Sequence, residues 1–157
     1  NLIAAWGMVY PLPLRSALIF STRATVDDLD VRVKRIIADF KADLIILAIG
    51  ENVPGLKTAE DKTKLQASIT TLLSALKGER KPTILVRSCF WANAAKDEAL
   101  QQACTAVGGV YVNISTLGKD EANYGRSERP YKHAGVANHP GDKGMAAIAA
   151  ALVKAVP

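Results

Sequence analysis

Histidine and cysteine, the residues that most often bind metal or carry nucleophilic chemistry, are scarce in this chain: there are two of each in 157 residues. They fall into no zinc-like spacing, so no metal is expected, and no cofactor is implied. Long apolar runs are missing too. No stretch of about 18 apolar residues exists, which argues against a transmembrane helix. Aromatic residues make up only 6% of the chain, and no basic run is interleaved with them as a nucleic-acid groove requires. The formal charge of +5 arises from 20 Lys and Arg scattered among 15 acids, so nucleic acid is not an expected partner. An initiator methionine is missing before Asn1, as is the charged-then-apolar pattern of a signal peptide. A processed, trimmed or partial chain is expected, and a periplasmic or secreted setting is favoured.

What is present is core-forming material. With 49% hydrophobic and 22% charged residues and no low-complexity segment, residues 1–157 read as a single globular domain. Thr25 to Lys41 places Leu29, Val33, Ile36, Ile37 and Phe40 on one helical face, and Thr25 with Asp28 resembles a capping box. The run "ADLIILAIG" that follows is too short for a helix and suits a strand buried on both faces. Thr58 and Asp61 open a second helix with Leu65, Ile69, Leu72, Leu73 and Leu76 as its stripe, ending before Gly78. "PTILVRS" is the next strand, Ala95 to Val107 the next helix with Gly108 at its stop, and "VYVNI" the strand after it. Met145, Ile148, Ala149, Leu152 and Val153 make the last helix amphipathic, with Asp142 suited to its N-terminus. The alternation predicts an α/β fold, a three-layer α/β/α sandwich with a mainly parallel sheet. The opening "NLIAAWGMVYPLPLRSALIFSTRA" gives no clean strand-helix unit, because Pro11 and Pro13 interrupt it. Ser115 to Pro140 reads as one long segment rich in Gly, Asn, Lys, Arg and Tyr, a candidate wall of a site.

Parallel topology gathers the polar candidates. Segments that follow strands lie along the carboxyl edge of such a sheet, where ligands bind. "GENV" at 50–53, "SCFWAN" at 88–93, "STLG" at 115–118 and His139 are therefore expected together. Free of other context, His139 closes a loop before a helix, and Asn52 is a turn residue that tolerates left-handed backbone.

"DLIILAIGENVPG" followed by "HPGDKGMAAIA" resembles the third and fifth conserved blocks of the SGNH, or GDSL-type, hydrolases, in a branch marked by "GENV" and "HPGDKGM". "WGM" at 6–8 and "FW" at 90–91 are similar to the same branch, so the resemblance spans most of the chain from Trp6 onward. It implies an SGNH-like fold and a serine esterase acting on a small ester or an acylated carbohydrate, including deacetylation. It also implies that Asn52 donates a hydrogen bond to the oxyanion and that His139 is the base that activates serine. Gly7 and Gly50 are substrate-binding candidates in this reading, Gly7 either as a backbone N–H donor near the oxyanion or as an ordinary turn glycine. Phe90 and Trp91 wall an acyl or sugar pocket, or pack as core and rim. An imidazole that titrates near neutrality and a fixed amide donor are what acyl transfer needs.

Two departures accompany the resemblance. The family places an Asp three residues before the His, and here that position is Val136; Asp142 or a backbone carbonyl is left to orient the ring. The serine-bearing first block is not in the sequence. It belongs before "WGM", so an upstream strand and serine turn are expected to precede Asn1, and the domain alone is expected to be incomplete at its N-terminus. A complementary N-terminal segment or self-association would then cover the gap. Cys89 is an alternative nucleophile on the same edge, though a buried cysteine packing as a small hydrophobe is the ordinary reading. Ser88, Ser115 and Thr116 share the edge without a nucleophile-like context, Ser16 and Ser21 do not match the serine turn, and His133 reads as structural or pocket-lining. A competing reading is a non-catalytic carbohydrate-binding or interaction domain that has lost its nucleophile and its acid.

Cys89 follows a strand at the active edge, whereas Cys104 is about nine residues, or ~14 Å, along the next helix. A disulfide needs Cα atoms within about 7 Å. Thiol titration of denatured, unreduced protein is expected to count both cysteines as free; a count of none would refute this placement.

Overall fold

A computed structural model describes residues 42–79 and 81–157, with the backbone of 16–19. The helix expected over Thr25 to Lys41, and with it Gly7 and Ser21, lies outside the described residues. Four strands, β1 (Ser16–Ile19), β2 (Leu44–Leu47), β3 (Thr83–Arg87) and β4 (Val110–Val112), form one sheet in the order β1-β2-β3-β4. All three pairings are parallel, with Leu44 opposite Thr83 and Leu85 opposite Val110. Among the described residues the helices are α1 (Ala59–Lys77), α2 (Ala94–Ala106), α3 (Ala134–Ala137) and α4 (Asp142–Lys154). The fold is α/β on a parallel sheet and is compatible with an α/β sandwich. No helix among the described residues is long and apolar enough to cross a membrane.

Local chemistry explains the boundaries. Thr58 Oγ1 accepts the Asp61 N–H and Asp61 Oδ2 accepts the Thr58 N–H, both at 3.0 Å, so the expected capping box starts α1. Gly78, at φ +51°, ends it. Asn93 caps α2 by accepting the Lys96 N–H, and Gly108 at φ +73° turns the chain into β4. β2 is shorter than the apolar run that contains it, because the chain leaves the ladder to reach Gly50 at φ +122°. β4 stops before "NI" because Asn113 Oδ1 accepts the Ser115 N–H and turns the chain. One strand was not legible: β1 lies in the opening segment that gave no clean unit. It begins after Pro13, so neither proline removes a donor from its ladder.

Parallel neighbours in chain order need crossover helices, and α1 and α2 supply two of them packed side by side. Ile69, Leu73, Leu100 and Ala103 of these helices bury Ile45 and Leu47 of β2 with Ile84 and Val86 of β3. A second cluster joins Ile148 of α4 to Phe90, Val112, Ile114 and Tyr124.

The long segment expected from Ser115 to Pro140 is folded. It makes three single turns of 3-10 helix, Leu117–Lys119, Glu121–Asn123 and Gly125–Ser127, and then α3. Tyr124 Oη donates to the Gly118 carbonyl at 2.6 Å and Asn123 Nδ2 to the Leu117 carbonyl at 2.9 Å. Glu128 reaches forward to accept the N–H groups of Lys143 at 2.7 Å and Asp142 at 2.9 Å. These two bonds, that of Lys143 foremost, hold its carboxyl below the usual carboxylate range. The segment itself therefore caps α4, and Asp142 is the acidic first residue of that helix.

Gly144 of α4 sits against this segment, and a Cβ there would lie 2.2 Å from the Asn123 carbonyl oxygen. Helix propensity alone favours Ala over Gly by about 1 kcal/mol. The contact reverses the sign: Gly144→Ala is expected to lower the denaturant midpoint, by about 1–3 kcal/mol of overpacking. An unchanged or raised midpoint would show that the segment and α4 do not meet so closely.

Candidate active site

The turn after β2 is built by charge as well as by glycine. A Cβ on Gly50 would stand 2.8 Å from Cys89 Sγ and 3.3 Å from Leu100 Cδ1, so the position has no room for a side chain. The Val53 N–H donates to the Gly50 carbonyl at 3.1 Å and closes the turn. Lys96, buried in the first turn of α2, donates its ammonium to the Gly50 carbonyl at 3.1 Å and also to the Val53 carbonyl. Glu51 accepts from Arg87 Nη1 at 2.5 Å and from the Phe90 N–H at 3.2 Å, and both charged side chains are largely buried. Asp97 accepts the N–H groups of Cys89 at 2.8 Å and Asn93 at 3.0 Å. Each charge is partnered, as burial requires. The result is a clamp that fixes the turns after β2 and β3 to each other and leaves Asn52 exposed at the crest.

His139 is fastened from the other side. Its carbonyl accepts the Gly125 N–H at 2.9 Å, and its own N–H donates to the Val136 carbonyl at 3.1 Å. The ring Nδ1 is 2.5 Å from the Gly135 carbonyl oxygen. A carbonyl only accepts, so Nδ1 carries the hydrogen and the neutral ring keeps its lone pair on Nε2. Trp91 meets the ring edge-on, with centroids 5.2 Å apart at 86°. Val136 occupies the position where the resembled family has an acid, and the Gly135 carbonyl makes the bond to Nδ1. Asp142 stays at the start of α4, and His133 caps α3 by accepting the Gly135 N–H at Nδ1.

Asn52, His139, Gly50, Phe90 and Trp91 line one cavity of about 520 Å³, together with Ile46 and the Met145–Val153 stretch of α4. Ile46 alternates with Ile45 and Leu47, so the cavity opens on the sheet face opposite α1 and α2. Gly7 lies outside the described residues. Phe90 is 1% exposed and packs edge-on to Trp91 and Tyr124, so it is core as well as wall.

The candidate nucleophiles fare differently. Cys89 is 1% exposed, and its thiol is pushed up to about 12 by burial first and then by the Glu51 and Asp97 carboxylates. It stays protonated and inert at neutral pH. Ser88 is fully buried; its Oγ accepts the Ile114 N–H at 2.8 Å and donates to the Cys89 carbonyl at 3.3 Å. Ser16 opens β1 opposite Leu44, at the amino edge. Ser115 and Thr116 are not among the described residues that line the cavity. Both cysteines are free. No group of three or more His, Cys, Asp or Glu able to hold a metal occurs among the described residues.

Sequence reasoning missed Glu51, Arg87, Lys96 and Asp97. The available signal was the adjacent pair Lys96-Asp97 in the first turn of a helix that starts at the carboxyl edge of the sheet, where a cation is otherwise disfavoured. No protein-family model, curated protein or solved structure matches the chain.

The buried Cys89 thiol and the half-buried Tyr111 phenol give the fold an alkaline limit. Cys89, ordinarily ionising near 9.0, is raised to about 12, and burial and Asp97 raise Tyr111 from 10.0 to about 12. Below the unfolded value neither state is ionised and stability is complete; above it the unfolded chain loses the proton first. Urea midpoints are expected to fall as pH rises from 9 toward 12, and less steeply in Cys89→Ala. A flat profile would contradict the burial of these groups.

Proposed function

We propose that the chain carries the oxyanion donor and the base of an SGNH-type serine ester hydrolase, built as a three-layer α/β/α sandwich. The observation that carries this reading is the shared cavity: Asn52 and His139 line it together, and the Gly135 carbonyl holds His139 in the tautomer that a base needs. In the reaction, a serine hydroxyl attacks the ester carbonyl while His139 Nε2 takes its proton. The oxyanion forms against the Asn52 amide, and the alcohol leaves with the proton from His139. Water then hydrolyses the acyl-enzyme by the same steps.

The serine belongs, in this reading, to a turn upstream of Asn1. The substrate is a small ester or an acylated carbohydrate. Ile46, Ile148 and Leu152 give the inner cavity an apolar wall, which suits the acyl part, while Asn52 and His139 meet the ester itself.

The 157-residue chain, verified by intact mass, is expected to show no serine-dependent hydrolysis of short acyl esters. A version extended through the upstream serine turn is expected to hydrolyse them, to lose activity in His139→Ala, and to lose about 10²-fold in kcat in Asn52→Ala. Hydrolysis by the short chain that vanishes in His139→Ala would overturn the upstream serine. A folded but inert extended chain that binds acylated sugars would favour the non-catalytic domain instead.

A further inference from the structure

Within "HAGVANHP", residues 133–140, the two imidazoles meet the same glycine from opposite ends. His133 Nδ1 accepts the Gly135 N–H at 3.1 Å, and the Gly135 carbonyl oxygen lies 2.5 Å from His139 Nδ1. The peptide unit between Gly135 and Val136 is anchored by His133 as well, because the Val136 N–H donates to the His133 carbonyl at 3.0 Å. A peptide that donates at one end and accepts at the other is polarised by both bonds, and each strengthens the other.

This geometry depends on α3, which is one turn of four residues. A helix so short does not persist on propensity, so it depends on its cap and its packing. The cap is the His133 ring. Gly135 is also the residue that leaves space for it: a Cβ there would stand 2.9 Å from His133 Cε1 and 3.0 Å from Nδ1. The two rings hold opposite tautomers. His133 accepts at Nδ1, so its neutral ring carries hydrogen on Nε2; His139 donates at Nδ1 and leaves Nε2 bare.

We propose that His133 is a positioning residue: by capping α3 through Nδ1 it aims the Gly135 carbonyl at His139 and fixes that ring as the Nδ1–H tautomer. The inference deepens the reading of His139 as the base and rests on it. His133 is not among the described residues lining the cavity and acts only through the Gly135 backbone.

The test is the nitrogen-15 imidazole spectrum of the 157-residue chain at a pH where both rings are neutral. The expected spectrum has His139 as a single Nδ1–H species and His133 as Nε2–H. H133A is expected to turn His139 into a mixture of tautomers. H133N, whose amide oxygen is a good helix cap, is expected to restore the single species. G135A, in which the new Cβ displaces the His133 ring, is expected to behave as H133A does, and decides the matter if H133A does not fold. An Nε2–H tautomer at His139 in the parent chain would overturn the proposal, as would a single Nδ1–H species that survives in folded H133A or G135A. In the serine-extended chain, H133A is expected to lower kcat with KM unchanged, and H133N to recover it. An inert extended chain with the tautomer response intact defeats the hydrolase reading and leaves the coupling. Full activity in H133A with the tautomer unmoved defeats the coupling and leaves the hydrolase.

Discussion

The Lys96 ammonium and the Glu51 carboxylate hold the turn after β2 against the loop after β3, and the position of everything at the carboxyl edge follows from that clamp. Both charges are withdrawn from water, which is costly unless each finds fixed partners. Lys96 finds two carbonyls of one turn; Glu51 finds a guanidinium and a backbone N–H of the neighbouring loop. A turn that moved away would leave these charges with fewer partners, so the pairing holds it in place. Asn52 has no role in the clamp and is free to present its amide to the cavity.

His139 reaches the same cavity by an independent route. Its backbone is tied to Gly125 and Val136, and the segment that ties it is closed by Tyr124 and Asn123 onto the 3-10 turn Leu117–Lys119 and by Glu128 onto the start of α4. One half of the site is thus held by buried charge and the other by backbone hydrogen bonds in turns. The two halves meet across Trp91, whose ring touches His139 and whose neighbour Phe90 donates its N–H to Glu51. A shift of the loop after β3 would move both.

The parts of this arrangement that obey simple periodicity were legible in the sequence. Leu44–Leu47 and Thr83–Arg87 read as strands because each is a short apolar run, although β2 is fully buried on one face only and its Ile46 face is half-buried at the cavity, and Thr58 with Asp61 read as a helix start because the capping box is local. Gly50, Asn52, Phe90, Trp91 and His139 were brought to one edge by topology alone, and the structure lines one cavity with all five. What escaped was long-range pairing between polar groups: nothing in the local sequence of Lys96 says that its ammonium will meet carbonyls 43 and 46 residues away. The Ser115–Pro140 segment was read as an irregular wall because single turns of 3-10 helix have no period long enough to register. β1 was hidden by the prolines that precede it.

A carboxylate beside a catalytic histidine does two things: it fixes the tautomer, and its full charge stabilises the imidazolium that forms. A backbone carbonyl performs the first task through geometry but brings only a partial charge to the second. The cavity wall bears on how much this matters. Arg87 lines the same cavity, and an unbalanced guanidinium there would oppose the imidazolium directly. Its charge is met at 2.5 Å by Glu51, so the wall carries an ion pair and not a lone cation. In the proposed hydrolase, that pairing limits the repulsion an imidazolium at His139 would meet. In the proposed hydrolase the oxyanion donor and the base are Asn52 and His139, drawn from distant parts of the chain to one cavity wall.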